Sequence, residues 1–198
     1  MIESTQQSIS GYDFGSAQSA KSPLSMEQLG QLEQTVGWTG EDERLLKKYA
    51  EFFRARAESM VDAWRAVIGA QPHLAQSFFG PDGNPDDEYK ARVKKRFVQW
   101  VIDVAERLHD QAWLDYQEEI GLRHTPEKKN KTDQRHTPAN VPLRYLIAFI
   151  PVVTNIRQFL LQEIKDAAEL AVVENAWTKA VHLHVTLWSR PYVKEGLW

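Results

Sequence analysis

The stretch DQAWLDYQEEIGLRH, Asp110 to His124, decides how the chain is read. Trp113, Tyr116, Gln117, Ile120 and His124 recur at three- and four-residue steps, which puts them on one face of an α-helix. Thr125 and Pro126 follow, and a proline disfavours helical geometry in the residue before it, so the helix ends here. A histidine therefore closes a mostly apolar face at the point where the chain turns away.

The same helical spacing extends outward in both directions. Val93, Phe97, Trp100, Val101 and Val104 form an amphipathic stripe upstream. Before it, FFGPDGNPDDEYK concentrates the turn residues Pro81, Gly83 and Pro85, and Pro72 breaks the pattern earlier still. Leu45, Leu46, Tyr49, Phe52, Phe53, Met60, Trp64 and Val67 are spaced for one long helix or two in series. Ser25 with Gln28 predicts a capped helix to about Val36, whereas residues 1–24 lack helical periodicity and read as an extended arm.

Downstream, TPEKKNKTDQRHTPAN is a loop by composition, and its cluster of Lys128, Lys129 and Lys131 is expected to be solvated. Asn140 is a candidate cap for a helix with Pro142 in its first turn, running through Leu161 with a kink at Pro151. A last helix, about Asp166 to Trp188, carries two apolar stripes. One holds Trp177, Val181, His184 and Trp188, the other Ala176, Ala180, Leu183 and Leu187, a pattern suited to a core on one side and a second subunit on the other. The sum is an all-α domain of seven or eight helices.

Composition excludes several classes of function. With 198 residues the chain fits one domain, and a net charge of −3 provides no basic field for nucleic acid or an anionic membrane. No segment is both long and apolar enough to span a bilayer, and the amino end lacks a signal-peptide pattern, so a cytoplasmic protein is expected. The absence of cysteine removes disulfides, thiolate nucleophiles and Cys-ligated metals. Seven tryptophans are more than a small helical core needs.

His124 admits two readings. It is either a core or helix-end residue or an axial ligand to haem iron, for which histidine is the fitting donor here because cysteine is absent and methionine occurs only at positions 1, 26 and 60. Trp64, Phe78, Phe97 and Phe149 fall on different elements and suit either the flat walls of a haem slot or an ordinary aromatic core. Spacing leaves both open.

Beyond these residues, the motifs GYDFG, WTGEDERLLKK, PHLAQSFFGPDGNPDDEY, VKKRFVQWVID, DQAWLDYQEEIGLRH, KKNKTD, VPLRYLIAFI and LWSRPYVKEG resemble the protoglobins, single-domain haem globins related to the sensor domains of globin-coupled sensors. The resemblance covers nearly the whole chain. It implies a globin-like helical sandwich of the 3-over-3 type with an extra amino-terminal helix, residues 25–198 forming the globin domain and residues 1–24 an arm over the haem edge at Tyr12 and Phe14. It also implies haem b held by His124 as proximal ligand. Trp64 matches the distal tryptophan, and Phe78, Phe97 and Phe149 match pocket-lining residues. Dioxygen, carbon monoxide and nitric oxide become the expected ligands, and a homodimer through the last two long helices the expected assembly.

One position departs from the family. Where relatives have tyrosine after the distal tryptophan, this chain has Arg65. Inside the pocket its guanidinium would polarise a bound ligand, which keeps a haem enzyme acting on peroxide or nitrogen oxides, or an engineered carbene-transfer scaffold, as the alternative. Outside, it would snorkel to water or pair with a propionate. Arg96, beside Phe97, is a second candidate partner for a propionate. A cofactor-free helical interaction protein is the third possibility.

Overall fold

A computed structural model describes residues 8–194 and 196–198, so the first seven residues of the expected arm lie outside it. Helix α1 spans Met26–Val36 and starts where the sequence places it. The Ser25 hydroxyl accepts from the Gln28 N–H at 3.2 Å, and the Gln28 side chain returns the bond to the Ser25 N–H at 2.9 Å.

The long apolar run after Trp38 resolves into two helices, α2 (Gly40–Lys48) and α3 (Ala50–Gly69), broken at Tyr49, whose φ of −100° and ψ of 16° are not helical. Pro72 opens the one-turn helix α4 (Pro72–Ala75), and a 3₁₀ turn follows over Gln76–Phe78. Three helices share one starting device, an aspartate cap accepting the N–H three residues on. They are α5 (Asp87–Glu106) with Asp86, α6 (Gln111–Leu122) with Asp110, and α9 (Ala167–Ser189) with Asp166.

The segment after Asn140 differs from expectation in two ways. Helix α7 (Leu143–Thr154) begins one residue after Pro142, which itself occupies the cap position, so Asn140 caps nothing. The helix also fails to continue through Leu161. It stops at Asn155, and a one-turn helix α8 (Arg157–Leu160) follows. Pro151 has already removed one bond from this helix, and the carbonyl of Val153 is taken at 2.9 Å by the indole N–H of Trp177.

Among the described residues there are nine helices and no strand. Helix α9 is the axle: it packs on α1, α2, α6, α7 and α8, while α3 crosses α5. Its two apolar stripes both pack within this chain, and of their eight residues only Trp188 is half-buried. Ala176, Ala180, Leu183 and Leu187 are 0–2 % exposed, and the last two join Leu29, Trp113 and Leu114 in a satellite core. The second stripe is thus covered by the chain's own helices, so it is no longer evidence for a second subunit. No helix among the described residues is long and apolar enough to cross a membrane.

The arm is bound, not loose. Ala20 N–H donates to Glu119 at 2.9 Å, Lys21 and Ser22 N–H bind Asp115 at 2.7 and 3.0 Å, and Arg123 holds both Asp13 and the Gly11 carbonyl. Gly11 sits at φ 72°, and a Cβ there would come within 2.7 Å of the Arg96 guanidinium, so glycine is required for the arm to lie this close. This clamp covers Asp115 and Glu119 on α6, while the neighbouring buried Glu118 pairs with Arg190 beyond the end of α9. Burial pushes the Glu119 pKa up, but bonds from Lys128, the Ala20 N–H and Arg123 more than reverse that shift.

Candidate functional site

Helix α6 ends at Leu122, and the next turn carries His124 onto the wall of a cavity of about 260 Å³. The cavity lies between α5, the end of α6, α7 and α9, and the arm closes one edge. Its lining is mostly apolar: Ile68, Val93, Phe97, Phe149, Val153 and Val185 supply much of it.

The imidazole is held from behind. Its Nδ1 lies 2.8 Å from the Ile120 carbonyl, which can only accept, so Nδ1 carries the proton and Nε2 keeps a free lone pair. Desolvation brings its pKa down to about 4, against the smaller opposing effect of the Ile120 bond; Lys129 and Arg123 add to the depression. The ring is therefore neutral at physiological pH. Its partial accessibility is to the cavity it lines, which is consistent with a ring shielded from bulk water.

The backbone of His124 is fixed as well. Val141 N–H donates to its carbonyl at 2.9 Å, and the Tyr192 hydroxyl lies within bonding range of both the His124 and Val141 carbonyls. Gly121 permits the last contact of this set. A Cβ there would lie 3.1 Å from Pro191 and 3.2 Å from the backbone of Trp188, so any larger residue would push the end of α9 back by a few tenths of an ångström from where Trp188 stacks on His124, centroids 6.0 Å apart.

The other sequence-derived candidates divide. Phe78, Phe97, Phe149, Arg96 and Tyr12 line the cavity with His124. Trp64 does not. It stands one layer behind, 3 % exposed, with its ring 5.5 Å from Phe97 and 6.3 Å from Trp100, and its indole N–H has no partner among the described residues. Phe14 packs outside the cavity, with the Arg107 guanidinium 4.2 Å from its ring centre.

Arg65 also lies outside this cavity. Its guanidinium donates to the Lys90 carbonyl at 2.7 Å and borders a smaller neighbouring cavity, separated from the first by Ile68 and Phe78, which line both. Arg96 is fully engaged: both terminal nitrogens bind Asp133, at 3.0 and 2.6 Å, and one also reaches the Ser10 carbonyl at 2.9 Å.

Several lining residues were not legible from the sequence. Lys129, expected in a solvated loop, is 4 % exposed; its ammonium donates to the Ser77 carbonyl at 2.9 Å and the Thr137 hydroxyl at 2.7 Å. Burial pulls its pKa down to about 8, opposed by Asp133. No carboxylate among the described residues lies within ion-pair distance of it. Asp103 and Tyr12 share a 2.7 Å bond at the same polar end of the cavity, where burial raises the Asp103 pKa. Only the aromatic character of Trp100, Tyr116, Tyr145 and Trp188 could have flagged them, and core aromatics look the same in sequence.

The comparisons with known proteins fit this architecture. No curated protein matches the chain in sequence. The globin domain of the Geobacter sulfurreducens globin-coupled sensor superposes with a TM-score of 0.67 at 16% identity, over 86% of this chain and 99% of that one. The ferric globin domain of E. coli DosC gives 0.63 at 14% identity, over 83% and 99%. These likenesses establish a globin fold. The protoglobin family model matches residues 25–198, the whole chain beyond the arm, and the chain belongs to the protoglobin family.

Proposed function

We propose that this protoglobin is a b-type haem protein in which His124 holds the iron and the opposite axial position stays open for reversible binding of dioxygen, carbon monoxide or nitric oxide. The family implies a haem, and the cavity's donor set fits one. The carrying observation is the His124 ring, neutral and oriented by Ile120, with Nε2 left uncommitted on a cavity wall.

When bound, haem supplies an iron centre with a vacant axial site and an accessible redox couple. The chain's residues do the rest. Phe78, Phe97 and Phe149 exclude water and shape a flat slot. Lys129, a buried cation without a carboxylate partner among the described residues, suits a propionate. Arg96 is occupied by Asp133 and instead secures the loop and the arm against α5. Tyr12 and the arm cover the polar edge.

Arg65 gives no support to peroxide cleavage from the distal side, because its guanidinium is anchored on a helix carbonyl. We assign the working form to the cytoplasm and to a homodimer through α7 and α9. The exposed apolar residues Ile147 and Val172 on those helices are what such a contact would cover, and sedimentation of an Ile147→Glu, Val172→Glu double variant tests it.

The deciding experiment is the ultraviolet–visible spectrum of the ferric, ferrous and CO-bound protein. A Soret band that shifts on reduction and again on CO addition is expected. Its absence after haem supplementation, or its persistence unchanged in His124→Ala, would reject the assignment.

A further inference from the structure

Six rings run from the cavity to the surface in strict His–Trp alternation. His124 stacks on Trp188 with centroids 6.0 Å apart, Trp188 meets His184 at 5.7 Å, and His184 meets Trp113 at 5.3 Å. Trp113 then stacks on His109 at 3.9 Å, and His109 on Trp38 at 4.9 Å. The first ring lines the cavity; the last is half-buried at the protein surface.

We propose that this ladder is a conduit that carries oxidising equivalents out of the haem cavity to Trp38, where a small phenol can discharge them. The inference rests on the haem reading above. Indole is among the most readily oxidised side chains, and electron transfer falls off exponentially with distance, so rings in contact conduct where isolated ones do not. The three indoles are the stations and the intervening imidazoles the bridges.

Two features of the ladder suit this role beyond proximity. Burial holds both bridging histidines below their ordinary pKa, so neither bridge carries a positive charge that would repel an indole radical cation. The surface end also carries negative charge: Glu33 lies 2.6 Å from His109 Nδ1, and Glu43 and Asp110 act on the same ring, which stabilises a positive hole there.

The balance is simple. Hydrogen peroxide in the cavity accepts two electrons and two protons and leaves as two waters. The electrons arrive one at a time through the ladder from two phenols at Trp38, each losing one electron and one proton to become a phenoxyl radical. Without a phenol, the Trp38 indole itself gives both electrons; one water adds to the ring, two protons leave, and a hydroxytryptophan carrying one added oxygen remains.

The test treats haem-loaded protein with hydrogen peroxide and locates tryptophan oxygen adducts by peptide mass spectrometry. Trp198 is the internal control: it is 38 % exposed and has no place in the ladder. An oxidant diffusing in solution attacks by exposure, whereas a conduit attacks by connection. Adducts at Trp38 are expected to exceed those at Trp198 several-fold, the excess vanishing in haem-free protein or when a phenol is present.

A barrier higher by 1.4 kcal/mol slows a hop about tenfold, so Trp113→Phe should cut the Trp38 adducts about tenfold or more with the Soret band intact. Equal labelling of Trp38 and Trp198 in wild-type protein overturns the conduit alone, whether or not the variant folds. A chain that takes up no haem, judged by its Soret band, overturns both the conduit and the reading it rests on.

Discussion

Two buried histidines, one at the end of α6 and one inside α9, separate what burial does from what a site needs. His124 and His184 are both stripped of water, and both are held neutral by desolvation. They differ in where the lone pair goes. In His184 it is consumed, since Nδ1 accepts the indole N–H of Trp100 at 2.7 Å, and Nε2 has no partner among the described residues. In His124 the bonded nitrogen is the protonated one, and the lone pair is left facing the cavity. A depressed pKa alone would have nominated both residues. The direction of one hydrogen bond separates the proposed ligand from the core residue.

The sharpest way to break this contrast is to remove each ring. His124→Ala should abolish stable haem retention, seen as loss of the Soret band after gel filtration, while the haem-free fold survives. His184→Ala should keep the Soret band but destabilise the protein by about 2–4 kcal/mol, because it opens a hole and orphans the Trp100 N–H. Denaturant melts followed by circular dichroism measure this. Reversed outcomes would mean that the lone-pair argument misassigns the two.

Acid provides the next largest effect. An unfolded imidazole takes up its proton near pH 6.5, whereas folded His124 does so near 4, so the unfolded state binds more protons in that window. Stability is therefore lost as pH falls from 6.5 towards 4, by on the order of 3 kcal/mol from this ring. Protonation also removes the lone pair. Haem release followed by Soret absorbance should therefore track the same window, and denaturant melts of His124→Leu should lose much of the slope.

The smallest effect is expected across the cavity. Because Arg65 is anchored on the Lys90 carbonyl, Arg65→Ala should change the CO dissociation rate by less than about threefold, equivalent to well under 1 kcal/mol, as measured by flash photolysis. A tenfold change would place the guanidinium inside the pocket in the ligated protein.

Much of this was legible in the chain because it depends on neighbours in sequence. Helical periodicity marks α5, α6 and α9; Ser25 with Gln28 sets the start of α1; and Pro126 places His124 at a helix end. Long-range geometry was not legible. Lys129 reads as solvent-facing until Ser77, 52 residues away, and Thr137 enclose it. The second apolar stripe of α9 reads as an interface until α1 and α6 cover it.

Periodicity, caps and breakers are local, so the amino-acid order settles which segments become helices and which residues share a face. Where a lone pair points, whether a charge meets its partner, and which of two cavities Arg65 borders depend on residues tens of positions apart. Those are properties of packing, and they arise only once α3, α5, α6 and α9 have closed around one another.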